Sequence, residues 1–141
     1  MSNPSSSAVN DVAEIRALIE RWAAAVRAKD LPAILADHAP EMLMFDVPPP
    51  TQLRGLEAYR ASWQPLFDCF DDVGDVGRFE VTELAVHAGA EVAFATAIVG
   101  CRGREKSGVP FQLQVRLTMG LRKVNGRWTV LHEHHSIPAT V

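Results

Sequence analysis

Apolar and polar positions along this chain follow two different periods, and the change from one to the other divides the sequence. After Asn10, a suitable N-cap, Val12, Ile15, Ile19, Trp22 and Val26 recur at steps of three and four, which predicts a helix of about four or five turns with one apolar stripe. Arg16, Glu20, Arg21 and Arg27 fall mostly off that stripe. Asp30 then caps a short second helix with Pro32 in its first turn and Ile34 and Leu35 on its apolar face, ending before Pro40. Met42 to Asp46 reads as a short apolar strand that ends in a single carboxylate, and Val47 and the prolines that follow forbid a regular ladder. From Gly55, the residues Leu56, Tyr59, Trp63, Leu66, Phe67 and Phe70 return to helical spacing, interrupted by Pro65. Asp71, Asp72, Gly74, Asp75 and Gly77 predict a polar loop.

Beyond this loop the pattern becomes strand-like. Arg78 to Val86 and Glu91 to Cys101 flank the turn residues His87 to Ala90 and predict a hairpin. After the charged turn Arg102 to Gly108, Phe111, Leu113, Val115, Leu117, Met119 and Leu121 alternate with mostly polar residues, the cleanest period-two segment of the chain. Asn125-Gly126 is the strongest short-range hairpin signal available, so Trp128 onward is the returning strand. Strict alternation would give one of its faces Trp128, Val130, His132, His134 and Ser136, and the other Thr129, Leu131, Glu133, His135 and Ile137. Both faces mix apolar and ionisable groups, and burying unpartnered charge costs several kcal/mol. A sheet bent around a partly polar cavity, with a partner surface on its other side, resolves the conflict. Helices first and long antiparallel strands after argue an α+β fold, one curved sheet closed on one side by about three N-terminal helices.

Composition narrows the function classes. The chain has 141 residues, enough for one domain that buries roughly two thirds of its unfolded surface. We read residues 1–9, rich in serine, as a disordered lead-in and 10–141 as a single domain. A net charge of −3 gives no electrostatic case for nucleic acid or an acidic membrane surface. Cys69 and Cys101 form no ligand spacing and read as free thiols, and no apolar run is long enough to span a membrane. With no basic-then-apolar start, the expected location is the cytoplasm.

Few residues carry a chemical signal. Asp46, a lone carboxylate at a strand end shielded by Met44, Trp63 and Phe67, suits a general base with a pKa raised by desolvation, or merely a loop cap before the prolines. His132, His134 and His135 invite a metal reading, but the run is not His-Glu-x-x-His and no third ligand is marked, so no metal is expected. Trp22, Trp63, Phe67 and Phe70 form an aromatic stripe that suits core, with part of it free to line a pocket for a flat apolar ligand. No nucleophile motif or phosphate loop occurs, which argues against covalent hydrolysis and nucleotide chemistry.

The order of Lys29-Asp30-Leu31, Phe45-Asp46-Val47-Pro48, Arg54-Gly55-Leu56-Glu57 and Asn125-Gly126-Arg127-Trp128, followed by His132 to Ser136, resembles the nuclear transport factor 2-like (NTF2-like) superfamily, and within it the SnoaL-like and ketosteroid isomerase-like proteins. The resemblance covers about residues 10–137. It implies a cone-like α+β barrel with an internal pocket, no cofactor, and a homodimer formed through the outer face of the sheet. Asp46 falls where steroid isomerases of this group place the carboxylate that moves the substrate proton. Trp22 and Thr118 fall on their oxyanion-hole tyrosine and protonated aspartic acid, so two of those three positions differ. The same correspondence makes Leu131 and His135 pocket-lining, turns Glu133 inward and sends His132 and His134 outward. Arg116, Thr118, Glu133 and His135 would then meet on one side of two strands paired through the hairpin. There they would either bind and polarise a substrate carbonyl or form a self-satisfied buried network.

The expectation is thus a pocket protein for a small apolar or polyketide-like molecule, working as a cofactor-free isomerase, cyclase or dehydratase. Asp46, His135 and Arg116 would be catalytic, and Trp22, Trp63, Phe67, Thr118, Leu131 and Glu133 would bind substrate. The alternative is a non-catalytic ligand-binding or oligomerisation module of the same fold.

Overall fold

The computed structural model describes residues 4–70 and 78–140. The polar loop expected over Asp71, Asp72, Gly74, Asp75 and Gly77 lies outside the described residues.

Two adjacent residues set up the core of the sheet. Asn125 and Gly126 both take positive φ, 52° and 78°, which is what a two-residue turn matched to strand twist requires. They join β5 (Pro110–Val124) to β6 (Arg127–Ser136). On the other side of β5 lie β4 (Val92–Arg104) and β3 (Phe79–Ala88), all antiparallel. β1 (His38–Phe45) runs parallel to β6, and the short β2 (Leu53–Arg54) pairs outside β1. The order is β2-β1-β6-β5-β4-β3. The fold is α+β, a curved, mostly antiparallel sheet wrapped by helices into a cone whose edges, β2 and β3, stay unjoined.

The helices pack where their apolar stripes direct. α1 (Pro4–Arg27) buries Ile15, Ile19, Trp22 and Val26, as the spacing predicts. It starts at Pro4, ahead of the expected cap at Asn10, so the expected lead-in falls partly on its first turns and partly on residues outside the described ones. Arginines pin its C-terminal half to β3. Arg16 Nη1 donates to Leu84 O at 3.0 Å, Arg27 Nη1 to Phe79 O at 2.8 Å, and Arg78 Nη2 to Arg27 O at 2.9 Å. α2 (Leu31–Leu35) is capped by Asp30, whose carboxylate accepts from Ala33 N. It ends at Leu35, and Pro40 sits inside β1 instead of terminating the helix. α3 (Leu56–Ser62) and α4 (Gln64–Cys69) are one helical unit broken at Trp63, with Pro65 in the first turn of α4. Gly55, at φ 87°, donates its N–H to Met42 O and so ties the start of α3 to β1.

β6 departs from the strict alternation expected of it. The register sets Leu121 opposite Val130 but Gly120 opposite His132, leaving Leu131 as the extra residue of a β-bulge. Trp128 and Val130 are buried before the bulge, and Glu133 is buried after it. The phase of the strand therefore flips midway, and neither face expected from strict alternation exists as such.

Candidate functional site

A cavity of about 300 Å³ opens between the inner face of the sheet and the α3–α4 unit. Met44, Trp63, Phe79, Val99, Leu113 and Val115 give it apolar walls, and Asp46, Ser62 and His135 are its polar groups. The parallel pairing of β1 with β6 brings Asp46 and His135 together. Phe45 lies opposite His134, so the next residue along β1, Asp46, emerges beside His135. Asp46 Oδ1 lies 3.9 Å from His135 Nδ1, too far for a hydrogen bond, and accepts from Val47 N at 2.8 Å.

Behind His135 is a buried carboxylate. Glu133 is fully buried, and its Oε1 accepts from His135 Nε2 at 2.8 Å. Its Oε2 accepts from His38 Nε2 at 2.5 Å and from the Tyr59 hydroxyl at 2.6 Å. The Tyr59 oxygen in turn accepts from Trp22 Nε1 at 3.0 Å. Burial by itself raises the pKa of Glu133. The hydrogen bonds from His135 and His38, with the positive charge those rings can carry, outweigh it and hold the carboxyl down at about 2. Burial, then the adjacent Glu133 charge, drives the Tyr59 hydroxyl well above its ordinary value, so it stays a donor. Because Nε2 of His135 donates to Glu133, Nδ1 is the atom left to face Asp46 and the cavity.

The expected constellation is only partly assembled. Counted from the Asn125-Gly126 turn, unbroken pairing would set Thr118 opposite Glu133 and Arg116 opposite His135. The bulge shifts the register by one, so Met119 faces Glu133 and Leu117 faces His135. Arg116 and Thr118 are exposed on the outer face, opposite Ser136 and His134, and Arg116 Nε donates to Ser136 Oγ at 3.1 Å. Neither lines the cavity that Asp46 faces. Leu131 occupies the bulge, half-buried, and does not line the cavity. Trp63 lines it, whereas Trp22 and Phe67 are buried behind, edge-on and stacked against Trp63 at 5.9 and 6.2 Å between ring centroids. His132 and His134 lie on the outer side with ring centroids 6.4 Å apart, and His132 Nδ1 bonds Leu43 O. Among the described residues, no third His, Cys, Asp or Glu joins them in a metal-ligating group.

Sequence reasoning missed His38 and the role of Tyr59. Tyr59 sat in plain view on the helical stripe, and a buried tyrosine hydroxyl ordinarily finds a partner. His38 carried no signal, because only the β1–β6 pairing brings it to Glu133.

Comparison with known proteins agrees with this architecture. The SnoaL-like domain family matches residues 15–140, and the chain belongs to that family. It is similar to an NTF2-like protein of unknown function from Pseudomonas putida, at 34% identity over 94% of this chain and 90% of that one, with a TM-score of 0.80. A ketosteroid isomerase-like protein from Erwinia carotovora atroseptica shares the fold at 20% identity, covering 92% and 98% of the two chains, TM-score 0.74. So does the association domain of CaMKII from C. elegans, at 18% identity over 92% and 98%, TM-score 0.70. Comparison with functionally curated proteins gives no significant match. Among the described residues no helix is long and apolar enough to cross a membrane.

Proposed function

We propose that this chain binds a small apolar carbonyl compound and moves a proton on it without a cofactor, as an isomerase, cyclase or dehydratase does. The observation that carries the reading is the pairing of Asp46 with His135 at the wall of one apolar cavity, 3.9 Å apart, with Glu133 bonded behind the imidazole. Asp46 takes the hydrogen next to the carbonyl. The imidazolium form of His135 keeps Nε2–H on Glu133 and gives an Nδ1–H hydrogen bond to the carbonyl oxygen as it gains enol character. Glu133 is a positioning residue, since it holds the ring orientation through Nε2 and does not itself reach the cavity lining. The Erwinia relative, ketosteroid isomerase-like by name, supports the reaction class only at the level of fold.

Deuterium incorporation next to the carbonyl of 2-tetralone in D2O, followed by NMR, tests this without knowledge of the natural substrate. The chain accelerates exchange, and Asp46→Asn lowers the accelerated rate by about 100-fold with folding intact. An unchanged rate in Asp46→Asn overturns the proposal and leaves a non-catalytic ligand-binding module.

A homodimer through the outer face of the sheet would cover Phe94, 49% exposed, together with His132 in the same cross-strand row. The CaMKII association domain, an assembly module by name, lends this a precedent of fold. A cytoplasmic location fits the expected free thiols Cys69 and Cys101.

A further inference from the structure

We infer that the cavity selects its ligand by charge, taking neutral or positively charged molecules with an apolar body and rejecting carboxylates and other anions. The inference deepens the proposed function, because it concerns the same cavity and rests on Asp46 and His135 facing into it.

Among the described residues no lysine or arginine side chain lines the space, and Arg116, the cation expected there, is on the opposite face of the sheet. Asp46 is a lining carboxylate whose side chain is 18% exposed. Directly behind the wall, Glu133 is a second carboxylate, held ionised. The cation available to a bound anion is therefore His135. Its Nε2–H is already committed to Glu133, and its Nδ1 lies 3.9 Å from Asp46. A ligand carboxylate reaching for Nδ1 would meet the Asp46 carboxylate at about the same separation. It would also leave water for walls built of Trp63, Phe79, Val99 and Val115. Desolvation without a counter-charge and like-charge contact act together against it.

For an ammonium group both signs reverse. Asp46 offers a counter-charge at a wall that also holds the aromatic rings of Trp63 and Phe79, and aromatic rings attract cations. A neutral group meets neither cost nor gain of this kind: a carbonyl accepts from His135, and a hydroxyl donates to Asp46. At about 300 Å³ the cavity is at the small end of the roughly 300–1,000 Å³ range of ligand sites, which suits a two-ring body.

Three probes with one body and three charges test the inference: 1-naphthylmethylamine, 1-naphthalenemethanol and 1-naphthoic acid, titrated calorimetrically at pH 7 into the full chain and into Asp46→Asn. The wild type binds the acid at least about 10-fold more weakly than the alcohol, and the amine at least as tightly as the alcohol. In Asp46→Asn the amine weakens by about 10-fold, the acid tightens, and the alcohol stays within about 3-fold. An acid that binds the wild type as well as the alcohol does overturns charge selection while leaving proton transfer by Asp46 standing, since the 2-tetralone exchange reports that separately. An amine–acid preference that Asp46→Asn leaves unaltered overturns the assignment of selection to this carboxylate. Binding of none of the three overturns both the inference and the reading of the cavity as a ligand site.

Discussion

Glu133→Gln keeps the shape of the side chain and removes its charge, and its consequences can be worked from the contacts. Oε2 accepts from His38 and Tyr59, while Oε1 accepts from His135. A glutamine that presents its oxygen to His38 and Tyr59 presents its NH2 to His135 Nε2, where two donors would face each other. In the neutral ring this is relieved by moving the proton to Nδ1, so the variant inverts the neutral tautomer that faces Asp46. For stability, the folded-state pKa of about 2 lies below the ordinary 4.5. The charged form thus contributes roughly 3 kcal/mol above about pH 4.5, and this is lost as pH falls through about 2. Urea denaturation at pH 7 should show Glu133→Gln less stable by roughly that amount. By pH 3 about half of the difference should be gone. Imidazole nitrogen shifts of His135 report the tautomer directly. A variant as stable as the wild type at pH 7, or a deficit that does not shrink on acidification, would refute the view of Glu133 as a buried, charged hydrogen-bond hub.

Arg116→Ala removes an exposed outer-face residue and should change stability by no more than about 0.5 kcal/mol and the 2-tetralone exchange rate by less than about 2-fold; a large loss of exchange would return Arg116 to the site. Gly103→Ala would set a Cβ 2.3 Å from the carbonyl oxygen of Cys69, where the end of α4 rests on β4. Its midpoint of urea denaturation should fall by the equivalent of about 1–3 kcal/mol, and an unchanged midpoint would mean that the α4 end is not seated there. Light scattering at micromolar concentration should give the mass of two chains, and a charge at Phe94, Phe94→Asp, should reduce it to one; a monomeric wild type counts against the outer face as an interface.

Features governed by local chemistry were legible in the chain, and features governed by pairing across the sheet were not. The α1 stripe, the Asp30 cap, the break at Pro65 and the Asn125-Gly126 turn each depend on residues within a few positions of one another, and each is in the structure. Asp46 at the end of β1 was also readable, because a carboxylate before a run of prolines marks a strand end. The bulge at Leu131 was not readable, since Val130 and Leu131 are both apolar and His132 to Ser136 are all polar, so no period marks where the phase of the strand flips. That one residue decides whether Arg116 or Leu117 shares a face with His135. His38 escaped for a related reason. It reaches Glu133 only through the parallel β1–β6 pairing, a contact between segments far apart in the chain.

A crystal structure of the chain with 2-tetralone bound addresses the central claim most directly. The account predicts the ketone inside the cavity, its carbonyl oxygen toward His135 Nδ1 and its activated carbon toward the Asp46 carboxylate. A ketone seated on the outer face beside His132, His134 and Arg116, with the cavity closed to it, would contradict the account.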